Sequence, residues 1–322
     1  MKKIILFLLL ASSVSLSCHK DLPSGLEYKT MIYDGLERRY AVYVPGNVQT
    51  SPPIVFVLHG GGGNIDFMTG NTSKKSPYKL WMDVADENGF IVVYPQATDN
   101  DNGKPTWNDC RQDCQINSGA DDEGFMLALI DTMVYSYNAD TTRIYFTGMS
   151  NGGFMSLRMA VQHPEKLAAV APVCASLPAI SKCKEPSEPL PIMFINGTED
   201  PLLPYDGGTI GNPPNETHGT AMPVEDAVNL WIKLDSCSTD YTYYEFPDLD
   251  TKDKSTVVKY VYPGGKNNTE VVFYKVIGGG HAIPSIAEQY SWIWETYVGK
   301  QNHDIEAVYE IWNFFADKRK VY

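Results

Sequence analysis

A serine hydroxyl attacks a carbonyl carbon only when a neighbouring base takes its proton. The 322-residue chain offers one serine in surroundings suited to that work, in Gly148-Met149-Ser150-Asn151-Gly152. The stretch Arg143–Thr147 before it reads as a strand, and Gly152–Gln162 after it reads as a helix. In that context G-x-S-x-G makes a tight elbow, with the serine raised above the sheet and a helix N-terminus beneath it. The base is found by elimination among six histidines. His19 is close to the N-terminus, His163 adjoins Pro164 at a helix end, and His303 precedes the last helix. His59 ends an early apolar run and shapes the turn into glycines, while His218 lies in an irregular insertion. His281 follows a strand and three glycines late in the chain, which suits the order serine, acid, histidine; His218 is the reserve. The acid belongs just past the strand Pro191–Asn196, where Asp200 is preferred over Glu199 and Asp206. It would orient the His281 ring and stabilise its imidazolium. The run Gly60-Gly61-Gly62-Gly63 can bring a backbone N–H to a developing oxyanion. Gly61 is the first choice and Gly62 the second, with the Asn151 N–H as partner donor. A phosphate cradle is excluded, because neither Gly-Lys-Ser/Thr nor G-x-G-x-x-G with an acidic ribose partner accompanies the run.

These residues need a scaffold that presents strand ends to one edge. Leu26–Tyr33 and Arg39–Val44 alternate as a hairpin around Asp34-Gly35. Ile54–Leu58, Phe90–Tyr94, Ala168–Cys174 and Ile192–Asn196 are continuous apolar runs, as strands buried on both faces are. Helical spacing appears at Tyr78–Asn88, after Asp121 and Asp122 through about Tyr137, at Val224–Leu234, near Glu288–Tyr297 and at Ile305–Ala316. Strands alternating with helices give an α/β class, a mainly parallel central sheet with helices on both faces. Residues 206–222 and 250–268 read as surface insertions. Residues 96–120 form a long polar loop containing Trp107, whose ring is a candidate to stack on a phenolic acid or sugar.

The net charge of −13 leaves no basic stripe for nucleic acid and no attraction to an anionic membrane. Met1-Lys2-Lys3 followed by Ile4–Leu10 reads as an export signal, too short to span a bilayer. Ser15-Leu16-Ser17-Cys18 resembles a bacterial lipoprotein cleavage site, with Ser15 where Leu is usual. The expected organisation is a signal peptide over 1–18 with Cys18 lipidated, a tether over 19–27 and one catalytic domain over 28–322. The lipid anchor would be the only link to a membrane, and the location secreted or cell-envelope, outer-membrane or periplasmic. Export favours disulfides. Cys110 with Cys114, and Cys183 with Cys237, are the expected pairs, and Cys174 is the expected buried free thiol. No CxxC pair or suitably spaced histidine supports a zinc site.

Four blocks together resemble the polyhydroxybutyrate depolymerase and feruloyl esterase group, which includes acetyl-xylan esterases. They are His59-Gly60-Gly61-Gly62-Gly63-Asn64, Gly148 to Gly153, Asn196-Gly197-Thr198-Glu199-Asp200-Pro201 and Gly278-Gly279-Gly280-His281. Pro204 to Gly208 and Ile311-Trp312-Asn313-Phe314-Phe315 are similar to it as well, so the likeness covers about residues 28–316. It implies an α/β-hydrolase fold, no metal or cofactor, and Ser150, Asp200 and His281 as the triad. The implied partners are acylated polysaccharide, an oligosaccharide or a small ester. A feruloyl or acetyl-xylan esterase is the first expectation and a polyhydroxyalkanoate depolymerase the second. A glycan-binding lipoprotein without catalysis and a peptidase rank below them. The stretch Asn71–Pro77 and the insertion at 250–268 look particular to this chain.

Overall fold

A computed structural model describes residues 22–211 and 218–320. The export signal, Cys18 with its lipidation, His19 and the start of the tether lie outside the described residues.

Leu26–Tyr33 (β1) and Leu36–Tyr43 (β2) pair antiparallel across Asp34-Gly35. Both turn residues have positive φ, 49° and 74°, which the two-residue turn between right-twisted strands demands. Ile54–Leu58 (β3), Ile65–Met68 (α1), Leu80–Asn88 (α2) and Ile91–Pro95 (β4) follow. Helix α2 stops at Gly89 with φ 73°, where a Cβ would meet the Asn47 carbonyl at 2.9 Å. Asp121 caps Asp122–Tyr137 (α3) by accepting the Gly124 N–H at 3.0 Å. Next come Ile144–Met149 (β5), Asn151–Gln162 (α4), Ala169–Val173 (β6), Ile192–Gly197 (β7), and the short pair Gly208–Thr209 (β8) and Thr220–Ala221 (β9). Val224–Asp235 (α5), Thr242–Glu245 (β10), Thr256–Tyr262 (β11), Val271–Ile277 (β12), Trp292–Val298 (α6) and Ala307–Phe315 (α7) complete the chain.

The main sheet has the order β1-β2-β4-β3-β5-β6-β7-β12-β11-β10. From β4 to β12 every pairing is parallel, and both flanks are antiparallel. Side chains alternate between two apolar layers. Ile54, Phe56 and Leu58 face α3, α4 and α5, whereas Val55 and Val57 face α2 and α7. In the second layer Trp312 stacks on Phe90 at 4.0 Å and Phe315 on Tyr145 at 4.8 Å. Each large side chain buried there contributes about 1.5–3 kcal/mol. This is the α/β-hydrolase fold, the class expected from the alternation of elements.

Three local expectations fail. The insertion at 250–268 contains the whole of β11, because Val257 and Val258 are buried against the sheet and the segment pairs along all of β12. The segment 206–222 holds the pair β8–β9. The cysteines also pair differently, with Cys110 bonded to Cys183. The Lys182 N–H donates to Cys110 O and the Gln112 N–H to Ile180 O, which lays the two segments side by side. Cys114 instead bonds Asn117 Oδ1 through its thiol, and Cys237 is buried and free at the end of α5. Cys174 is buried and free, as expected.

Candidate active site

Parallel strands end at one edge, and that edge collects the candidate residues. Ser150 follows β5, Asp200 lies three residues beyond β7, and His281 lies four residues beyond β12. Ser150 has φ 57° and ψ −124°, a conformation costing a non-glycine residue about 1–3 kcal/mol. The backbone around it is closely packed. A Cβ on Gly152 would lie 2.4 Å from Leu58 O, and one on Gly148 2.6 Å from the Gly152 backbone. The spaced glycines therefore let β5, α4 and the end of β3 close on one another.

Asp200 is buried, and both of its oxygens are engaged. Oδ1 accepts the N–H groups of Leu202 and Leu203, each at 2.8 Å, and Oδ2 accepts from His281 Nδ1 at 2.7 Å. The alternative acids Glu199 and Asp206 are exposed. The His281 ring is buried, and its backbone N–H is held by Val298 O at the end of α6. With Nδ1 donating to a carboxylate, Nε2 is left as the accepting atom of the ring. The Cys174 thiol lies close to both, the reactive atoms of the three residues being within 4.8 Å of one another. Burial, reinforced by Asp200, pushes that thiol well above its usual pKa, so it stands there as a neutral SH.

The other histidines have other work. His59 Nε2 accepts the Ala97 N–H at 3.1 Å, so its proton sits on Nδ1, which donates to Gly60 O at 2.8 Å. Burial lowers its pKa to about 4 and keeps the ring neutral. His163 bonds Glu123, and His303 bonds Asp250. The reserve candidate His218 lies beside Gly211, with its carbonyl accepting from Arg111 and its segment bridged to Cys114.

The glycine run turns back under His59. Gly62 donates its N–H to Pro105 O at 2.7 Å, and Gly63 donates to Gly60 O at 2.9 Å, so Gly62 is committed away from the serine. A Cβ on Gly61 would sit 3.8 Å from Asn151 Cβ, and one on Gly60 3.6 Å from Ser150 Cβ. Asn151 opens α4, so its own N–H has no partner within the helix.

Trp107 does not serve as a stacking surface. It is fully buried, its indole N–H donates to His59 O at 2.8 Å, and its ring packs on His59 at 4.9 Å. Its aromatic mass supports the glycine turn from behind and offers no face to a ligand.

One network escaped the sequence reading. The Asn151 side chain accepts the Trp107 N–H at 2.7 Å and donates to Trp107 O at 3.0 Å and to Asp109 Oδ2 at 2.7 Å. Asp109 is fully buried, pairs with the buried Arg111 guanidinium and accepts from Asn117. Burial alone would raise the Asp109 pKa, but Arg111 and these hydrogen bonds hold it below the usual carboxylate range. The visible signal was Asp109-Cys110-Arg111, charged residues beside a cysteine in an otherwise polar loop. Nothing in it announced a partner 42 residues away.

On the other side of the serine, the Tyr78 hydroxyl donates to Met149 Sδ at 2.6 Å. Glu288 accepts the Ser76 N–H and pairs with Lys79 at 2.7 Å, which ties the Asn71–Pro77 stretch to the segment after His281.

Comparison with known proteins agrees with this architecture. Residues 38–179 match the family described as esterase PHB depolymerase. A bifunctional acetylxylan esterase/xylanase of Neocallimastix patriciarum is 33% identical over 171 residues, 53% of this chain and 22% of that protein. A probable feruloyl esterase C of Aspergillus flavus is 29% identical over 219 residues, 66% of this chain and 74% of that protein. The chain spans less than two thirds of several such relatives, down to the 22% of the Neocallimastix protein. Among solved structures, an acetyl xylan esterase from Aspergillus awamori superposes with a TM-score of 0.53 at 16% identity, over 80% of this chain and 95% of that one. That likeness concerns the fold.

Proposed function

We propose, from the match of residues 38–179 to the esterase PHB depolymerase family, that the chain is a serine esterase hydrolysing acetyl or feruloyl esters on plant cell-wall polysaccharide. The observation that carries the reading is the buried Asp200–His281 pair at the strand edge where Ser150 stands on a strained elbow. The acylated-polysaccharide substrate is supported by relatives named as acetylxylan and feruloyl esterases.

In this mechanism His281 Nε2 takes the Ser150 proton as Oγ attacks the ester carbonyl. The N–H groups of Gly61 and Asn151 stabilise the oxyanion, and the network behind Asn151 keeps them in place without reorganisation. His281 returns the proton to the leaving alcohol, then activates a water that cleaves the acyl-enzyme. Asp200 holds the ring in the required tautomer throughout. We take residues 28–322 as one catalytic domain, exported and anchored through Cys18. The Cys110–Cys183 bond supports an oxidising location. Among the described residues no helix is long and apolar enough to cross a membrane.

The test is a panel of methyl ferulate, acetylated xylan and polyhydroxybutyrate, run on the wild type and on Ser150→Ala. Release of ferulate or acetate that disappears in Ser150→Ala is expected. Ser150-dependent clearing of polyhydroxybutyrate alone would replace the substrate by the polyester, a second reading that the family match itself favours. A Ser150→Ala variant as active as wild type would sink the mechanism.

A further inference from the structure

Cys110 stands between the two residues that reach the first turn of α4. On one side Asp109 Oδ2 accepts from Asn151 Nδ2 at 2.7 Å, and on the other the Arg111 guanidinium lies 4.3 Å from the centre of the Phe154 ring. The two neighbours are also tied to each other, since the Arg111 backbone N–H and Nε donate to Asp109 Oδ1 at 2.9 and 3.0 Å. Consecutive Cα atoms are about 3.8 Å apart, so whatever fixes Cys110 restrains both. Cys110 is buried and bonded to Cys183.

The rest of the segment is unevenly held. Upstream of Asp109 it is anchored in the core. The Trp107 indole N–H donates to His59 O at 2.8 Å, and the Asn108 N–H donates to Asp122 Oδ2 at 2.7 Å. Downstream its partner is a loop, because residues 174–191 join β6 to β7 with isolated bridges and no helix or strand. Within that loop Ile180 is half exposed and Lys182 is exposed. Two backbone hydrogen bonds cross to it, from Lys182 N–H to Cys110 O at 2.9 Å and from Gln112 N–H to Ile180 O at 3.0 Å. Arg111 also donates to His218 O. Hydrogen bonds near the surface open locally, because water takes the place of either partner. The covalent bond between Cys110 and Cys183 is the tether that does not open.

We propose that the Cys110–Cys183 disulfide is a positioning element for catalysis. It keeps Asp109 against the Asn151 side chain, and through that side chain it steadies the Asn151 N–H that faces the oxyanion. Such a donor stabilises charge only when it is held in place before the charge develops. The assignment rests on the serine esterase reading and deepens it, by making the rate depend on a bond outside the triad. Neither cysteine touches substrate or reacting atoms. Both act through Asp109. Full activity is then conditional on an oxidised bond, and opening it slows turnover in protein that is still folded.

The test compares the wild type, Cys110→Ser/Cys183→Ser, Asn151→Ala and the variant combining all three substitutions, with p-nitrophenyl acetate as substrate. Asn151→Ala keeps the backbone N–H and removes the side chain that Asp109 holds. Loss of the disulfide should lower kcat about tenfold and leave KM within about twofold, a part of the roughly 10²–10³-fold that follows outright loss of an oxyanion donor. Asn151→Ala should lower kcat at least as much. The combined variant should be less than about twofold worse than Asn151→Ala, because the disulfide then has nothing to act through. The urea midpoint, by contrast, should fall by a similar amount whether or not Asn151 is present. Unchanged kcat in the folded disulfide variant, or losses that multiply in the combination, would overturn the assignment and leave the bond a staple of the fold. If the serine variant does not fold, the same comparison is made on wild type and Asn151→Ala kept in dithiothreitol, with thiol titration to show the bond open and circular dichroism to show the chain folded. A separate arm reads the network without turnover. Amide exchange should quicken in the peptide containing Trp107 and Arg111, whose N–H groups bond Asn151 Oδ1 and Asp109 Oδ1, and stay as in wild type in β3 and β5. If no ester shows Ser150-dependent turnover, the esterase reading fails and this arm judges the disulfide alone. Exchange that is unchanged around Trp107, or faster throughout the molecule, would refute its hold on the network.

Discussion

The two walls beside Ser150 are built on opposite principles. The wall formed by His59, Trp107, Asp109 and Asn151 is buried, and its polar groups hold one another in a closed set of hydrogen bonds. The wall formed by α6 is almost wholly exposed and is fastened only at its ends. A buried polar network tolerates little change, because each member removed leaves another unsatisfied at about 1–3 kcal/mol. An exposed helix tolerates much. The contrast separates a wall bound to the chemistry, which needs N–H groups fixed to fractions of an ångström, from a rim free of that requirement.

The largest effect expected is at the residues between the walls. Ser150→Ala and His281→Ala should each lower kcat on a small ester by about 10⁴-fold or more, and the double variant should be little worse than either single one. Asp200→Ala should cost less, about 10³–10⁴-fold, since the base would survive with poorer orientation. Initial rates at saturating substrate measure this. A His281→Ala enzyme at near wild-type rate would transfer the role to another histidine and dissolve the distinction between the walls.

The next effect tests the rigid wall. Asp109→Ala leaves the Arg111 charge buried without its partner and deprives Asn151 of an acceptor. About 3–5 kcal/mol of stability should be lost, read as a shift in urea midpoint. Adding Arg111→Met should restore much of that stability. It should not restore kcat, because Asn151 would still lack Asp109. Recovery of both would mean that the network supports the fold and not the oxyanion donors.

These regions also differ in how readable they were from residues alone. Ser150, its glycines and the parallel strands announce themselves locally, because a tight elbow excludes a Cβ and a strand buried on both faces excludes charge. Asp109 and Asn151 lie 42 residues apart, and no local pattern couples them. Trp107 was misjudged for the same reason. An aromatic ring in a polar loop reads as available until the fold turns it behind His59. The cysteines failed likewise, since Cys114 is nearer in sequence while Cys183 is nearer in space. Strand β11 was hidden by the Lys, Gly and Asn residues flanking its Val and Tyr alternation, although its pairing with β12 is complete. Helix α6 was expected to begin four residues earlier, and helical spacing cannot tell an exposed aromatic helix from a buried one.

A third effect concerns pH and sets His59 against Asp235, a buried carboxylate at the end of α5. Burial lowers the His59 pKa to about 4 and raises that of Asp235 to about 7. Below pH 6.5 the unfolded chain binds a proton on His59 that the folded one refuses, so this group removes stability as pH falls toward 4. That amounts to about 3 kcal/mol at 1.36 kcal/mol per unit. Asp235 has the opposite sign. Its folded form takes up a proton near pH 7 and its unfolded form only near pH 4, so it adds a similar amount over the same interval. The wild type should therefore show a nearly flat contribution from the pair between pH 7 and 4. Asp235→Asn should unmask a loss of stability on acidification, and His59→Gln a gain, both followed by urea denaturation. Parallel curves for the two variants would mean that neither group titrates as its burial requires.

The smallest effect is expected at the exposed wall. Trp292 has most of its surface in water, and its neighbours on α6 contribute to no core layer except through Val298. Trp292→Ala should then change unfolding free energy by no more than about 0.5 kcal/mol, the range of substitutions at exposed positions away from special features. Val298→Ala truncates the buried side chain of the helix and should cost about 0.5–1.5 kcal/mol or more. A Trp292→Ala variant destabilised as much as Val298→Ala would mean that the indole is packed in solution, with α6 folded down onto the site. The two walls would then differ in exposure only while the rim stands open, and the aromatic helix would act as a cover over the serine.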